Sequence, residues 1–220
     1  MTTKALIVLL IGVIYLCAIF ALWPRIDLDV ASLFYHAGHF IGRTPAGEHF
    51  RRFFYDAPYF LLAAFIMTAI AKSFGRVERG PGWRAIVFLV ASLALGPGLL
   101  VNGVLKEVSH RPRPEQTLDF GGRWSFEPYD SFAGQCGHNC SFVSGEAATA
   151  AWTLAPALLA PPPARILAIA AALLFTLATG GLRMAFGGHY FSDVLFAALF
   201  TFVIVLALYR WYRRGEQARD

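Results

Sequence analysis

The sequence predicts an all-α polytopic membrane protein: a six-transmembrane-helix bundle with an interfacial helix after the first span. Three observations predict it. The chain is 57% hydrophobic and only 15% charged, with a mean hydropathy of +0.54, which is too apolar for an ordinary soluble domain of 220 residues. Six apolar stretches are long enough, or nearly so, to cross about 30 Å of hydrocarbon at roughly 20 residues each. The Lys and Arg residues collect at the ends of those stretches, where membrane proteins keep them. They form no basic stripe between aromatics, so the net charge of +5 does not imply nucleic acid.

The spans fall near 4–23, 57–74, 85–105, 144–160, 166–183 and 190–209, in one domain over 1–220. The first is too long for a signal-peptide core and no A-x-A site follows it, so a retained helix is expected. Cys17 within it reads as an ordinary buried cysteine. In 24–56, "IDLDVASLFYHAGHF" repeats its apolar residues at helical spacing, the pattern of a helix lying on the membrane surface. His36 and His39 are read there as interfacial polar residues, since two histidines make a poor metal site. The fourth span is short and Ala-rich, and Pro161-Pro162-Pro163 separates it from the fifth.

With an even number of spans the termini share a side. Lys4, the loop with Lys72, Arg76, Arg79 and Arg84, then Arg165 and the tail "RWYRRGEQARD" fall together, on the cytoplasmic side by the positive-inside rule. The loops 24–56, 106–143 and 184–189 would then face the periplasm or exterior, and the protein would reside in a bacterial inner membrane.

Three polar clusters share that outer side. "KEVSHRPRP" ends the third span with Lys106, Arg111 and Arg113. "CSFVSGEAA" opens the fourth with Ser144, Gly145 and Glu146. "TGGLRMAFGGHYFSDVLF" carries Arg183, His189 and Asp193 between the last two. Singly, each has a bland reading as interfacial anchor, helix cap or satisfied polar pair. Jointly they describe an anion cradle: guanidinium forks and an ammonium suit phosphate oxygens, and a helix start adds its own N–H groups. His189 and Asp193, four residues apart, share a helix face, so the carboxylate can accept from one imidazole nitrogen and direct the other.

These motifs resemble the type 2 phosphatidic acid phosphatase superfamily, which includes glucose-6-phosphatase and the vanadium haloperoxidases. Its pattern is K-x6-R-P, then P-S-G-H, then S-R-x5-H-x3-D. The chain has Lys106-x6-Arg113-Pro114, then Val143-Ser144-Gly145-Glu146, then Leu182-Arg183-x5-His189-x3-Asp193, a match over roughly residues 106–193. The resemblance implies metal-independent phosphoryl transfer through a phosphohistidine intermediate, without a cofactor. His189 would be the nucleophile, with Asp193 orienting it, and Lys106, Arg113, Arg183, Ser144 and Gly145 would hold the phosphate. The implied function is a lipid phosphatase acting at the periplasmic face, the lipid tail entering sideways from the bilayer. Substrates of the right kind are lipid A phosphates, undecaprenyl pyrophosphate, phosphatidylglycerophosphate and phosphatidic acid. A phosphotransferase with the same intermediate and a non-catalytic lipid-phosphate binder or transporter are the rivals. The stoichiometry of the chain is left open.

Val143 for Pro and Leu182 for Ser are mild departures. Glu146 is a larger one, because the family's histidine there is thought to protonate the leaving oxygen. Either Glu146 is still the acid, or His138 or His110 supplies the proton, or the leaving group needs little help. A carboxylate inside an anion site needs a reason, so Glu146 is expected to be functional. Cys136 and Cys140 flank "GHN" before the second motif. A disulfide is expected in an oxidising periplasm, against free thiols or a metal site that lacks a fourth ligand. Trp124, Phe126 and Tyr129 read as headgroup-level aromatics or loop packing. Arg111 and Arg123 are candidates for further substrate contacts, as interfacial anchors otherwise.

Overall fold

The computed structural model describes residues 2–217. The basic tail runs past them, and its residues 218–220 lie outside the described residues. The protein is an all-α membrane protein, and among the described residues five helices are long and apolar enough to cross a bilayer: Lys4–Leu22, Pro45–Ser73, Trp83–Val108, Pro162–Ala185 and Phe191–Gly215.

Helix α1 (Thr2–Leu22) is apolar on every side, and Ile7, Ile11 and Ile14 stay exposed for lipid. Helix α2 (Arg25–Ser32) follows at once. The helical pattern read through "LFYHAGHF" stops there, and residues 35–40 form a hairpin of β1 (Tyr35–His36) and β2 (His39–Phe40). Ala37 and Gly38 both take positive φ, the backbone of a two-residue hairpin turn. Among the described residues this is the whole of the sheet.

Helix α3 (Pro45–Ser73) begins well before the span expected at 57–74. Glu48, Arg51, Arg52 and Asp56 lower the hydropathy of its first turns, but Arg51 is paired with carboxylates, so the helix runs through. Thr44 caps it, its side chain accepting from the Gly47 amide at 3.0 Å, and Pro45 supplies a preset first residue. Helix α4 (Trp83–Leu93) passes into a π-helical stretch (Ala94–Leu105) and a last turn, α5 (Lys106–Val108). Pro97 lies in the widened part. It lacks an N–H and crowds the preceding turn, which π spacing relieves.

The fourth apolar stretch forms two short helices, α6 (Gly145–Ala151) and α7 (Leu154–Leu159). Pro156 cannot donate to the carbonyl four residues before it, so the ladder breaks near Trp152. Helices α8 (Pro162–Ala185) and α9 (Phe191–Gln217) complete the bundle. Helix α6 lies at its centre against α3, α8 and α9, its alanines buried so that the backbones approach closely. One apolar cluster, with Phe20, Val101, Val143, Val194 and Phe196, lies towards the end that carries Ser144 and Asp193. A second, with Phe88, Leu89, Trp152, Val205 and Tyr209, fills the other end.

Candidate active site

Backbone bonds tie the helix ends that carry the motifs. Gly42 N–H donates to the Ala185 carbonyl at 2.8 Å and Ser144 N–H to the Asp193 carbonyl at 3.2 Å. The three polar clusters therefore meet at one end of the bundle.

Lys106 ends the third long helix. Its Nζ donates to Asn139 Oδ1 at 3.1 Å, and Arg113 donates to the carbonyl of the same residue at 3.0 Å. Asn139 sits between Cys136 and Cys140, which form a disulfide in this structure. Lys106 also lies against the start of α6: a Cβ on Gly145 would sit 3.2 Å from Lys106 Nζ and 2.6 Å from Asn102 Oδ1, so a side chain there would displace one or both groups. Ser144 is buried and caps α6, its Oγ accepting from Ala147 N–H at 3.3 Å, which leaves its own proton free to donate.

Arg183 ends α8 and is buried, with its Nε unpartnered. Its guanidinium presses on Gly188, where a Cβ would lie 2.4 Å from NH2. His189 is buried beside it. Its Nδ1 donates to the Ser141 carbonyl at 2.7 Å. A carbonyl can only accept, so the proton is on Nδ1 and the neutral ring keeps its Nε2 lone pair free. Burial, with the cations Arg183 and Arg113, pushes His189 down to about 3 against the pull of Asp193. The ring is thus held neutral. The expected direct bond to Asp193 is corrected: Oδ2 is 3.8 Å from Nδ1, near enough to act by charge and too far to accept the proton.

Asp193 is instead held by Arg111 NH1 at 2.6 Å, the Ser141 hydroxyl at 2.5 Å and the Tyr190 amide at 2.8 Å. Arg111 is fully buried and also donates to Asp27 Oδ2 at 2.7 Å, with the Tyr190 ring 4.3 Å from its guanidinium carbon. It is therefore no substrate contact: it is fully buried, and two carboxylates, a hydroxyl and a carbonyl occupy four of its five donors. Burial alone would lower it, but Asp193 and Asp27 hold it above the ordinary arginine range.

Three other candidates are engaged elsewhere. Arg123 is exposed, 4.8 Å over the Trp124 ring. His138 is 80% exposed and pairs with Glu107 at 2.8 Å. His110 donates from Nδ1 to the Cys136 carbonyl at 3.0 Å. Glu146, by contrast, is inside. Its Oε1 accepts from Arg51 Nε at 3.1 Å and NH2 at 2.8 Å, and lies 3.5 Å from Arg183 NH1.

A cavity of about 480 Å³ opens here, walled by four arginines, Arg43, Arg51, Arg113 and Arg183, with Glu48 and Glu115. Arg43 is spent on an ion pair with Glu115. Burial holds Arg113 below the ordinary arginine range, and the neighbouring Arg51 adds to it, despite Asp193 and Glu146. The wall is short of negative charge, the condition an anion would relieve. Among the described residues no group of three or more His, Cys, Asp or Glu could hold a metal ion.

Asp27, Arg51, Ser141 and Asn139 were not among the sequence candidates. The one signal was charge where it is costly: an Asp in a short helix between spans and an arginine pair in "HFRRFF" at a span entrance.

Comparison with known proteins yields the same motifs' family. The PAP2 superfamily matches residues 85–216. The chain is 34% identical over 209 residues to the lipid A 4'-phosphatase of Rhizobium leguminosarum, a stretch covering 88% of this chain and 90% of that protein. It is 35% identical over 205 residues to the lipid A 4'-phosphatase of Francisella tularensis subsp. novicida, covering 90% and 91%. No solved structure matches it significantly.

Proposed function

The chain belongs to the PAP2 superfamily, and from that premise we propose that it is a membrane phosphatase that hydrolyses a phosphate ester of lipid A at the periplasmic face. The observation that carries the chemistry is the buried, neutral His189 fixed through Nδ1 beside the cations Arg113 and Arg183.

In this reading Nε2 of His189 forms a bond to phosphorus as the bond to the lipid oxygen breaks. The cations and the Ser144 hydroxyl stabilise the equatorial oxygens. Asp193, anchored by Arg111, stabilises the positive charge that develops on the ring. Water then adds to phosphorus, the N–P bond returns its pair to the ring, and free phosphate leaves. The proton gained by the lipid oxygen balances the one lost by water. No metal takes part.

Two features support a lipid substrate. The relatives act on lipid A by name. An apolar groove of about 430 Å³ also runs along α3 and α8, lined by residues such as Pro58, Leu61, Phe65 and Phe175. The same two helices carry Arg51 and Arg183 into the cationic cavity, so a headgroup phosphate and an acyl chain could lie along one path. The basic residues of the opposite end, Lys72, Arg76, Arg79 and Arg84, support the outward orientation.

The test is phosphate release by purified protein with EDTA present, from lipid A, undecaprenyl pyrophosphate, phosphatidylglycerophosphate and phosphatidic acid. Release from lipid A that vanishes in His189→Ala is expected, with an acid-labile phosphoprotein trapped in the wild type. Release that survives His189→Ala, or that EDTA abolishes, would reject the reading.

A further inference from the structure

The cationic cavity contains an arginine that none of the three motifs supplies. Resting on the reading that this cavity takes a phosphate group, we propose that Arg51 is a phosphate-binding residue of the site and Glu146 its positioning residue. The pair would stand where the family's pattern puts a histidine.

Arg51 reaches the cavity from the first turns of α3, 95 positions away from Glu146 in sequence. Its Nε and NH2 both donate to Glu146 Oε1, at 3.1 and 2.8 Å, and its NH1 donates to Glu48 at 2.9 Å. The Phe186 ring lies 5.9 Å from the guanidinium carbon and fixes its plane from one side. A guanidinium has five N–H donors. Those three bonds leave one on each terminal nitrogen, at the cavity wall.

Glu146 thereby acquires a reason to sit in an anion site. Three guanidinium groups, of Arg51, Arg113 and Arg183, share one wall, and like charges so close repel unless something lies between them. The Glu146 side chain is that spacer, with one oxygen facing both Arg51 and Arg183. An imidazole at position 146 could not offer a carboxylate's charge to either. The position next in sequence, Arg52, is exposed and does not line the cavity, so the arrangement is particular to Arg51.

The competing role for Glu146 is proton donor to the leaving oxygen through Oε2, which is buried with no hydrogen-bond partner among the described residues. The two roles separate in the pH profile. In a positioning role, Glu146→Gln keeps an oxygen that Arg51 can bind and gives up the charge, a partial loss that is the same at every pH. In a donor role, the same change removes the proton.

The experiment measures kcat and KM for phosphate release from lipid A by the full-length protein, between about pH 5 and 9. The variants are Arg51→Ala, Arg51→Lys, Glu146→Ala, Glu146→Gln and the Ala/Ala double, with Arg52→Ala as control. Arg51→Ala and Glu146→Ala should each lower kcat/KM by about 100-fold, and the double no further than the worse single. Glu146→Gln should lose less than about tenfold and keep both pH limbs of the wild type. Loss of the alkaline limb in Glu146→Gln, with Arg51→Ala near wild type, would overturn the proposal.

A second measurement needs no turnover. Inorganic phosphate should raise the Tm of the wild type and of His189→Ala, and raise that of Arg51→Ala less than half as much. Equal shifts would overturn the proposal too. If the wild type releases no phosphate from any lipid, the catalytic reading fails while these shifts still decide the role of Arg51. Arg51→Lys, and each Tm without phosphate, show that the variants are folded.

Discussion

Arg111 and Arg113 stand two residues apart in "HRPRP" and are put to opposite uses. The following prolines hold each in extended backbone, and Arg113 has φ −75° and ψ 155°. That geometry repeats every three residues, so positions two apart point in different directions. Arg111 turns into the protein, where Asp27 and Asp193 discharge it. Arg113 turns to the cavity, where only the Asn139 carbonyl meets it among its side-chain hydrogen bonds. A buried cation bound by two buried carboxylates is framework. A cation with donors to spare is waiting for a ligand. The same distinction separates Arg111 from Arg183, although both are buried.

The sharpest way to break this comparison is to remove the framework cation. Arg111→Ala leaves Asp27 and Asp193 buried without a counter-charge and should cost about 3–5 kcal/mol of stability. Thermal unfolding of purified protein reads it, and a wild-type Tm would refute the framework role. Next comes Arg183→Ala. It should lower kcat/KM for phosphate release by about 100- to 1000-fold, as loss of an oxyanion donor does, with Tm nearly unchanged. A large fall in Tm with activity retained per folded molecule would place Arg183 with Arg111.

A graded effect, small within one pH unit, is expected from pH. His189 has a folded value of about 3 against roughly 6.5 when unfolded. Above 6.5 it is neutral in both states and costs nothing. As pH falls from 6.5 towards 3 the unfolded chain takes up the proton first, so stability is lost by up to about 1.4 kcal/mol per unit from this group. The Tm gap between wild type and His189→Gln should move in the variant's favour over that window, and a constant gap would show that the ring titrates normally. The smallest effect belongs to Arg123, exposed over Trp124. Arg123→Ala should change stability by less than about 0.5 kcal/mol and leave kcat/KM alone. A tenfold rise in KM would return it to the substrate site.

Much of this was readable beforehand because local spacing encodes it. Lys106, Arg113, Ser144, Gly145, Arg183 and His189 were found from short motifs at helix ends, and the structure gathers those ends. The apolar runs likewise located the long helices. What sequence could not carry was pairing across distance. Asp27 lies 84 positions before Arg111, and Arg51 lies 95 before Glu146. Nothing local distinguishes such charges from interfacial anchors. Hydropathy also misplaced the start of α3, because a window average counts a paired arginine as fully as a bare one. The expected Asp193–imidazole bond failed for a different reason. Four-residue spacing puts two side chains on one face, but it cannot show that the Ser141 carbonyl is nearer.

The Asp27–Arg111–Asp193 chain of charges also bears on how the protein is made. Asp27 emerges from the ribosome long before Arg111, and Asp193 as long again after it. At typical synthesis rates each wait lasts on the order of ten seconds. Until the last helix arrives, the guanidinium has at most one of its two carboxylates, and the loop carrying Arg113 lacks its anchor to the segment around His189. The site end of the molecule is thus locked only once α9 is in place, and a nascent chain cannot close this pocket before then.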